Sequence, residues 1–334
     1  MYVKSEVTLI PGGLSGDAGI VDAARVSFSK KAEDYTPEEN EKLIKYLFKH
    51  GHWSPFGHPR IMFSFSFPPE YAPSIIAAIA VAGNLAGFTF LYGEGFQCIN
   101  GSLWAWYENL HLFHYATAQE IRRRIRELFP IAGRVLFREP DLRHGGSPFI
   151  SSTVERDDIP DGGNGAVLIY ESFRIKAPIF VARQAVKHQI GLCWNEVSRR
   201  YVSDTPEIYE MSEWRAKPNA SIKQGSGGLL LGGIALDAAD IYMKSIEEST
   251  SAYEDMLRLG TAPEQARAVL PLSTMTEWVW TGSLAAWHRI CRLRLDSHAQ
   301  KEIRDIAEPI ETALKAKWPN AWQALTDRKP DELG

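Results

Sequence analysis

Apolar and polar positions along the chain first mark a strand over Tyr2 to Ile10 and then a helix within DYTPEENEKLIKYLFKHG. Thr36 caps this helix, Pro37 occupies its first turn, Glu39 closes a capping box and Gly51 ends it. Leu43, Ile44, Leu47 and Phe48 recur at helical spacing and form its core face. HGHWSPFGH follows, and then RIMFSFSF, whose period-two alternation predicts a strand. A further strand run, VLIYESFRI, comes much later and leads through Pro178 into a predicted helix, PIFVARQAVKHQ. Beyond residue 236 the pattern is helical: DAADIYMKSIEESTSAYEDMLRLG up to a stop at Gly260, PEQARAVL from Pro263, then TEWVWTGSLAAWHRICRLRL and HAQKEIRDIAEPIETAL. No solenoid repeat is visible.

The segment between the two strand runs differs from its surroundings. Thr117 and Glu120 are spaced to open an amphipathic helix with Ile121, Ile125, Leu128 and Phe129 on one face, and a polar exit, VERDDIPDGGNG, follows. We read residues 68–164 as a mainly helical insertion, with a small core of its own, in one catalytic domain spanning 1–334. Arg122, Arg123, Arg124 and Arg126 within it form a solvated helix face. The most apolar window, Ile75 to Tyr92, is split by Gly83, Asn84 and Gly87 into runs too short for a bilayer, and predicts a buried helix plus a strand.

Composition narrows the class. Of 334 residues 45% are hydrophobic and 23% charged, which suits a soluble globular chain and excludes collagen-like, coiled-coil and disordered readings. Cys98, Cys193 and Cys291 are too sparse for a disulfide framework and include no CxxC pair, so the setting is reducing and cytoplasmic. No signal peptide is read at the N-terminus. With 37 basic and 41 acidic residues the net charge of −4 argues against nucleic acid as a partner and favours small anionic ligands.

If the helix after Pro178 is regular, Arg183, Gln184, Lys187 and His188 share one side of an otherwise apolar rod, and such a polar stripe suits a ligand better than bare solvent. The following IGLCWNEVSRRYVSD supplies Asn195, Glu196, Ser198, Arg199, Arg200 and Tyr201. Serine and arginine together suit a phosphate, and Glu196, which an oxyanion would repel, suits a sugar hydroxyl. Together they describe a nucleotide. Ser198 has no evident base and is read as a binding group rather than a nucleophile. His50, His52 and His58 lack an acidic or cysteine companion, so no metal site is assigned.

KHQIGLCWNEVSRRY resembles the signature of the flavin-dependent thymidylate synthases, an RHR triad followed after seven or eight residues by serine. AARVSF, KHGHWSPFGH, KAPIFVARQ, EWRAKPNASIKQGSG, EQARAVLPLSTMTEW and LRLDSHAQKEI resemble further family segments in the same order. The resemblance implies an α+β fold, a sheet packed with long helices, and C5-methylation of dUMP with FAD, NADPH and 5,10-methylenetetrahydrofolate. It also implies a homotetramer with active sites between subunits. By the same resemblance Arg294 lies over the pyrimidine, with Gln184, Ser198, Arg199, Arg200 and Arg267 around the nucleotide and Glu196 near its ribose. FAD would meet Ser27, His52, Lys187, His188, Gln189, Ser283, Arg289 and His298, with His52 beside both isoalloxazine and folate.

The departures are specific. Lys187 and Gln189 replace the triad arginines, one extra residue precedes Ser198, Arg199 stands where glycine is common, and Ser283 and Ala285 replace an asparagine and an arginine. Lysine keeps the charge but loses the bidentate fork; glutamine loses both. These changes point to a specialised branch similar to the uridylate methylases of polyoxin-type antibiotic biosynthesis, accepting UMP as well as dUMP. A nucleotide-binding homologue without flavin chemistry and a uridylate hydroxymethylase stay open as alternatives.

Overall fold

The fold is built on two antiparallel four-stranded sheets, each of which buries apolar side chains contributed by distant parts of the chain. A computed structural model describes residues 1–65, 88–93, 96–137, 150–154, 166, 168–218 and 225–327. The N-terminal strand of the sequence pattern is broken: β1 (Tyr2–Val3) and β2 (Glu6–Leu9) pair with different strands. Helix α1 (Gly16–Arg25) is followed by α2 (Pro37–Lys49), where Thr36 accepts from the Glu39 amide and Glu39 reciprocates at the Thr36 amide. The short α3 (Ser54–Gly57) leads into β3 (Arg60–Phe65).

β4 (Phe88–Gly93) and β5 (Phe96–Ser102) then pair, with β5 also against β3. Helices α4 (Leu103–Asn109), α5 (Tyr115–Leu128) and α6 (Ala132–Leu136) follow, and β6 (Ile150–Thr153) closes the sheet in the order β4-β5-β3-β6. The other sheet runs β2-β7-β10-β8, from β7 (Tyr170–Pro178), β8 (Leu192–Glu196) and β10 (Met275–Ser283). Between these strands lie α7 (Ile179–Ala185), β9 (Ile208–Tyr209), α8 (Gly233–Arg258) and α9 (Pro263–Ala266). The chain ends in α10 (Leu284–Arg294), α11 (Lys301–Lys317) and α12 (Pro319–Asp327).

Four sequence expectations are corrected. TEWVWTGS is strand β10, in full register with β7 from Met275 opposite Pro178 to Ser283 opposite Tyr170, and the helix begins only at Leu284. Its aromatic and β-branched residues favour a pleated, covered surface over a helix. Helix α7 stops at Ala185, so Lys187 and His188 lie in the turn before β8 and the four-residue stripe does not form. Helix α5 starts at Tyr115, which puts Thr117 and Glu120 inside its buried first turns. There Glu120 takes hydrogen bonds from Arg123 and Arg124, Arg123 also reaches Glu127, and Arg126 donates to the Phe137 carbonyl, so Arg123 and Arg124 of the cluster are ion-paired and not merely solvated. These bonds hold the Glu120 carboxyl down at about 2.

Nor does the central segment keep a core to itself. Ile99, Leu103, Trp106, Ile121 and Ile125 pack in one cluster with Ile20, Ile44, Leu47 and Phe63 from the N-terminal elements. β3 is covered on both faces, Ile61, Phe63 and Phe65 facing this cluster while Met62 joins the one around β7, β10 and α11. Among its described residues lie three α-helices and three strands, the helices being the longer in total. Of the apolar Ile75 to Tyr92 window, FTFLY is in β4, while the predicted helix 75–87 and the polar exit 155–165 lie outside the described residues. No helix among the described residues is long and apolar enough to cross a membrane.

Candidate functional site

The turn after α7 and the end of α10 bring one group of residues together. His188, Trp280 and Arg294 line a small pocket closed by Ile303, Ile306 and Ile310 of α11. Arg294 Nε donates to His188 Nε2 at 2.9 Å, across 106 positions of sequence. The imidazole is therefore a neutral acceptor there, with its proton on Nδ1. Burial, and then the charges of Arg294 and Arg289, push the His188 pKa down to about 4. Burial also lowers that of Arg294. Its only hydrogen-bond partner among the described residues is this uncharged ring, so its charge stays uncompensated by any carboxylate.

Around this pair, Arg289 Nη2 holds the Ile190 carbonyl at 2.7 Å, and Lys187 and Gln189 are exposed on the same turn. Gln184 donates to the side chain of Gln300, the N-cap residue of α11, which sequence reasoning did not single out although it lies in the matching segment LRLDSHAQKEI. Two of the expected flavin contacts are engaged locally. Ser283 is buried and its hydroxyl caps α10 by accepting from the Ala286 amide, and exposed His298 is paired through Nδ1 with Asp296 at 2.9 Å. His50 and exposed His52 both lie against Tyr46, whereas buried His58 is bonded to Thr281 and Asn195, so HGHWSPFGH brings two of its histidines to one ring and sends the third into the interior. No cluster of three or more histidine, cysteine, aspartate or glutamate side chains suited to a metal occurs among the described residues.

A second group surrounds the end of β8. Ser27 Oγ donates to the Glu196 carbonyl at 3.0 Å, and the Ser198 amide donates to the Ser27 carbonyl at 3.1 Å, so Ser27 and Ser198 are neighbours despite their separation. The Glu196 carboxylate receives Thr276 Oγ1 at 2.7 Å and Trp194 Nε1 at 3.1 Å. Glu264 joins Arg200, at 3.3 Å to its carboxylate, and Arg267, at 3.2 Å to its carbonyl. Both arginines are exposed, and such a pair in water is worth under about 1 kcal/mol, so a phosphate can displace Glu264. Arg199 instead holds the Asp204 carbonyl at 2.8 Å. Trp194 stacks on Trp278 at 4.5 Å and meets Trp280 edge-on at 5.2 Å, and Trp280 lies 6.5 Å from His188, so an aromatic wall runs between the two groups. Read as a helix, TEWVW gives no sign that Trp278 and Trp280 meet Trp194.

The donor set fits an anionic flavin nucleotide: Arg289 of α10 reaches, through the Ile190 carbonyl, the turn that carries exposed Lys187. The model of the family described as thymidylate synthase complementing protein matches residues 13–74 and 168–320, well over half of the chain. The flavin-dependent thymidylate synthase of Aquifex aeolicus (strain VF5) is 29% identical over 317 residues, spanning 89% of this chain and 94% of that protein. That of Thermosipho africanus (strain TCF52B) is 39% identical over 154 residues, 46% of this chain and 67% of that protein. Among solved structures, the UMP/dUMP methylase PolB from Streptomyces cacaoi, bound with 5-Br UMP, aligns over 97% of this chain and 94% of its own at 20% identity and a TM-score of 0.47. The chain thus belongs to the thymidylate synthase complementing protein family and is an enzyme of the flavin-dependent thymidylate synthase type.

Proposed function

We propose that the protein methylates C5 of a uridylate, with FAD as hydride carrier, 5,10-methylenetetrahydrofolate as carbon donor and NADPH as the source of electrons. The observation that carries this reading is Arg294, a cation whose only hydrogen-bond partner among the described residues is a neutral histidine. C5 of uracil becomes nucleophilic as negative charge builds on the ring carbonyls and N3, and a fixed guanidinium beside them lowers that barrier without reorganisation. His188, kept neutral, holds the guanidinium in place without quenching its charge. Gln184, Ser198, Arg199, Arg200 and Arg267 would hold the nucleotide, with Glu196 at its ribose; Ser27, His52, Lys187, His188, Gln189, Ser283, Arg289 and His298 would hold FAD. Bound FAD supplies the hydride that reduces the transferred carbon to a methyl group.

The Gln184 and Arg294 group and the Ser198 and Arg200 group lie on either side of the tryptophan wall, which supports a homotetramer with active sites shared between subunits. Helix α8 supports it too. It buries only Ile246 and Tyr253 on its own chain and leaves Ile234, Leu236 and Ile241 65%, 68% and 70% exposed. We assign residues 1–334 to one catalytic domain with 68–164 inserted, working in the cytoplasm. The substituted triad and Arg199 favour the antibiotic-type branch and use of both UMP and dUMP. A pocket that only tolerates the 2′-hydroxyl discriminates weakly, whereas one built to bond it rejects the deoxy compound strongly. Equal UMP and dUMP in competition, scored by methylated product, should give both products; use of dUMP alone, by more than about a thousandfold, contradicts this assignment. Flavin absorption bands on the purified protein separate the enzyme from a homologue that has lost flavin chemistry.

A further inference from the structure

A cavity of about 460 Å³ is lined by Thr281 of β10, whereas Arg294's pocket is lined by Trp280, the adjacent residue on the opposite face of that strand, and the two share no lining residue. That volume falls in the range of small-molecule sites. It exists where the two parts of the chain meet. Arg60, Leu168 and Tyr170 come from segments flanking or inside the family match, whereas Asn100, Phe129 and Val154 come from residues 75–167, which the match leaves out. The loop Gly12 to Gly16 forms another wall; Gly12, Gly13 and Gly16 have φ of +72°, +68° and +60°, a conformation that favours glycine, and a Cβ on Gly12 would meet nothing within 4 Å.

Arg60 supplies the chemistry. Its Nε donates to Asn100 Oδ1 and its Nη2 to the Asn100 carbonyl, both at 3.1 Å, and its Cζ lies 3.9 Å from the centroid of the Tyr170 ring. Two of the five guanidinium N–H groups are thus used, leaving three for the cavity and the Tyr170 hydroxyl. Among the described residues no carboxylate pairs with it, and burial lowers its pKa, with only the Tyr170 phenol and the Cys193 thiol acting against that. No aspartate or glutamate lines the cavity among the described residues, and Asp17, next in sequence to the Gly12 to Gly16 loop, accepts from the Ile131 and Ala132 amides. A partly buried, uncompensated guanidinium is costly, and an incoming anion removes the cost. Phe129, Val154 and Leu168 offer apolar contact to the remainder of such a molecule.

We infer that this cavity is a second ligand site, for a small organic anion carrying one carboxylate or phosphate on an apolar body. The inference does not rest on the uridylate reading. It is tested by fluorine NMR titration of the full-length protein, saturated with FAD and dUMP, using para-fluorobenzoate, para-fluorophenyl phosphate and the neutral para-fluorobenzyl alcohol. At least one anion should bind while the alcohol does not, and which anion binds identifies the carboxylate or phosphate source. Arg60→Met should weaken it by about tenfold or more, the loss of a charge-assisted hydrogen bond. Val154→Phe, which fills the cavity while leaving Arg60 bonded, should do the same and serves if Arg60→Met does not fold. Failure of both anions to bind to the saturated protein, or equal affinity in a folded variant, overturns the inference.

Discussion

Replacing His58 with glutamine should remove one defined part of the acid sensitivity of this fold. His58 is 1% exposed, its Nε2 faces Asn195 Oδ1 at 3.2 Å and its Nδ1 faces Thr281 Oγ1 at 2.8 Å. The neutral ring satisfies both partners by donating from Nε2 and accepting at Nδ1, with Ser172 Oγ, 2.7 Å from Thr281 Oγ1, completing the chain. Burial pushes its pKa from 6.5 to about 4, the Asn195 contact opposing only in part. Because the folded-state value is depressed, the unfolded chain binds more protons between these values, so stability is complete above pH 6.5 and falls as pH drops towards 4. The full difference is worth roughly 3 kcal/mol, of which about 2 kcal/mol is lost between pH 7.5 and 5. Urea unfolding of wild type and His58→Gln at those two pH values measures it. The glutamine variant, less stable at pH 7.5, should lose about 2 kcal/mol less than wild type on acidification. Equal losses in the two proteins would refute a neutral buried His58.

Two further substitutions probe the site and the packing. Arg294→Ala should lower turnover with saturating nucleotide by roughly a hundredfold or more while flavin content stays nearly constant, and the His188 ring should titrate at a higher pH, part of the way back because burial is the larger cause. Turnover equal to wild type would exclude the assigned role. Gly101→Ala should destabilise the fold by about 1–3 kcal/mol in denaturant unfolding, since the new Cβ would sit 2.4 Å from Phe88 Cε1 and 2.7 Å from Trp106 Nε1, atoms packed in the core.

What could be read from sequence was local. Helix α2 was legible from Thr36 to Gly51 because its cap, first-turn proline and apolar face all lie within one short segment. β10 is hidden in the sequence because its helix-like continuation into Leu284 masks a strand whose neighbours, β7 and β8, lie 82 to 113 positions away by register. Residue types at the candidate site were legible from the motifs, but their pairings were not. Nothing local says that His188 meets Arg294, that Gln184 meets Gln300, or that Glu264 gathers Arg200 and Arg267. The Arg60 cavity was invisible for the same reason: Asn100, Leu128, Phe129, Thr153 and Val154 of the central segment complete a wall begun elsewhere in the chain, and its meaning depends on a carboxylate that is not beside the arginine.

The central claim is tested most directly by identifying the product. The purified protein is incubated with FAD, NADPH, 5,10-methylenetetrahydrofolate and dUMP or UMP tritiated at C5, and the nucleotide product is analysed by mass spectrometry while tritium release is followed. The account predicts loss of tritium from C5 and a product heavier than a uridylate by one CH2 group. A flavin-loaded protein that releases no tritium, or one whose product carries a hydroxymethyl group at C5, would contradict it.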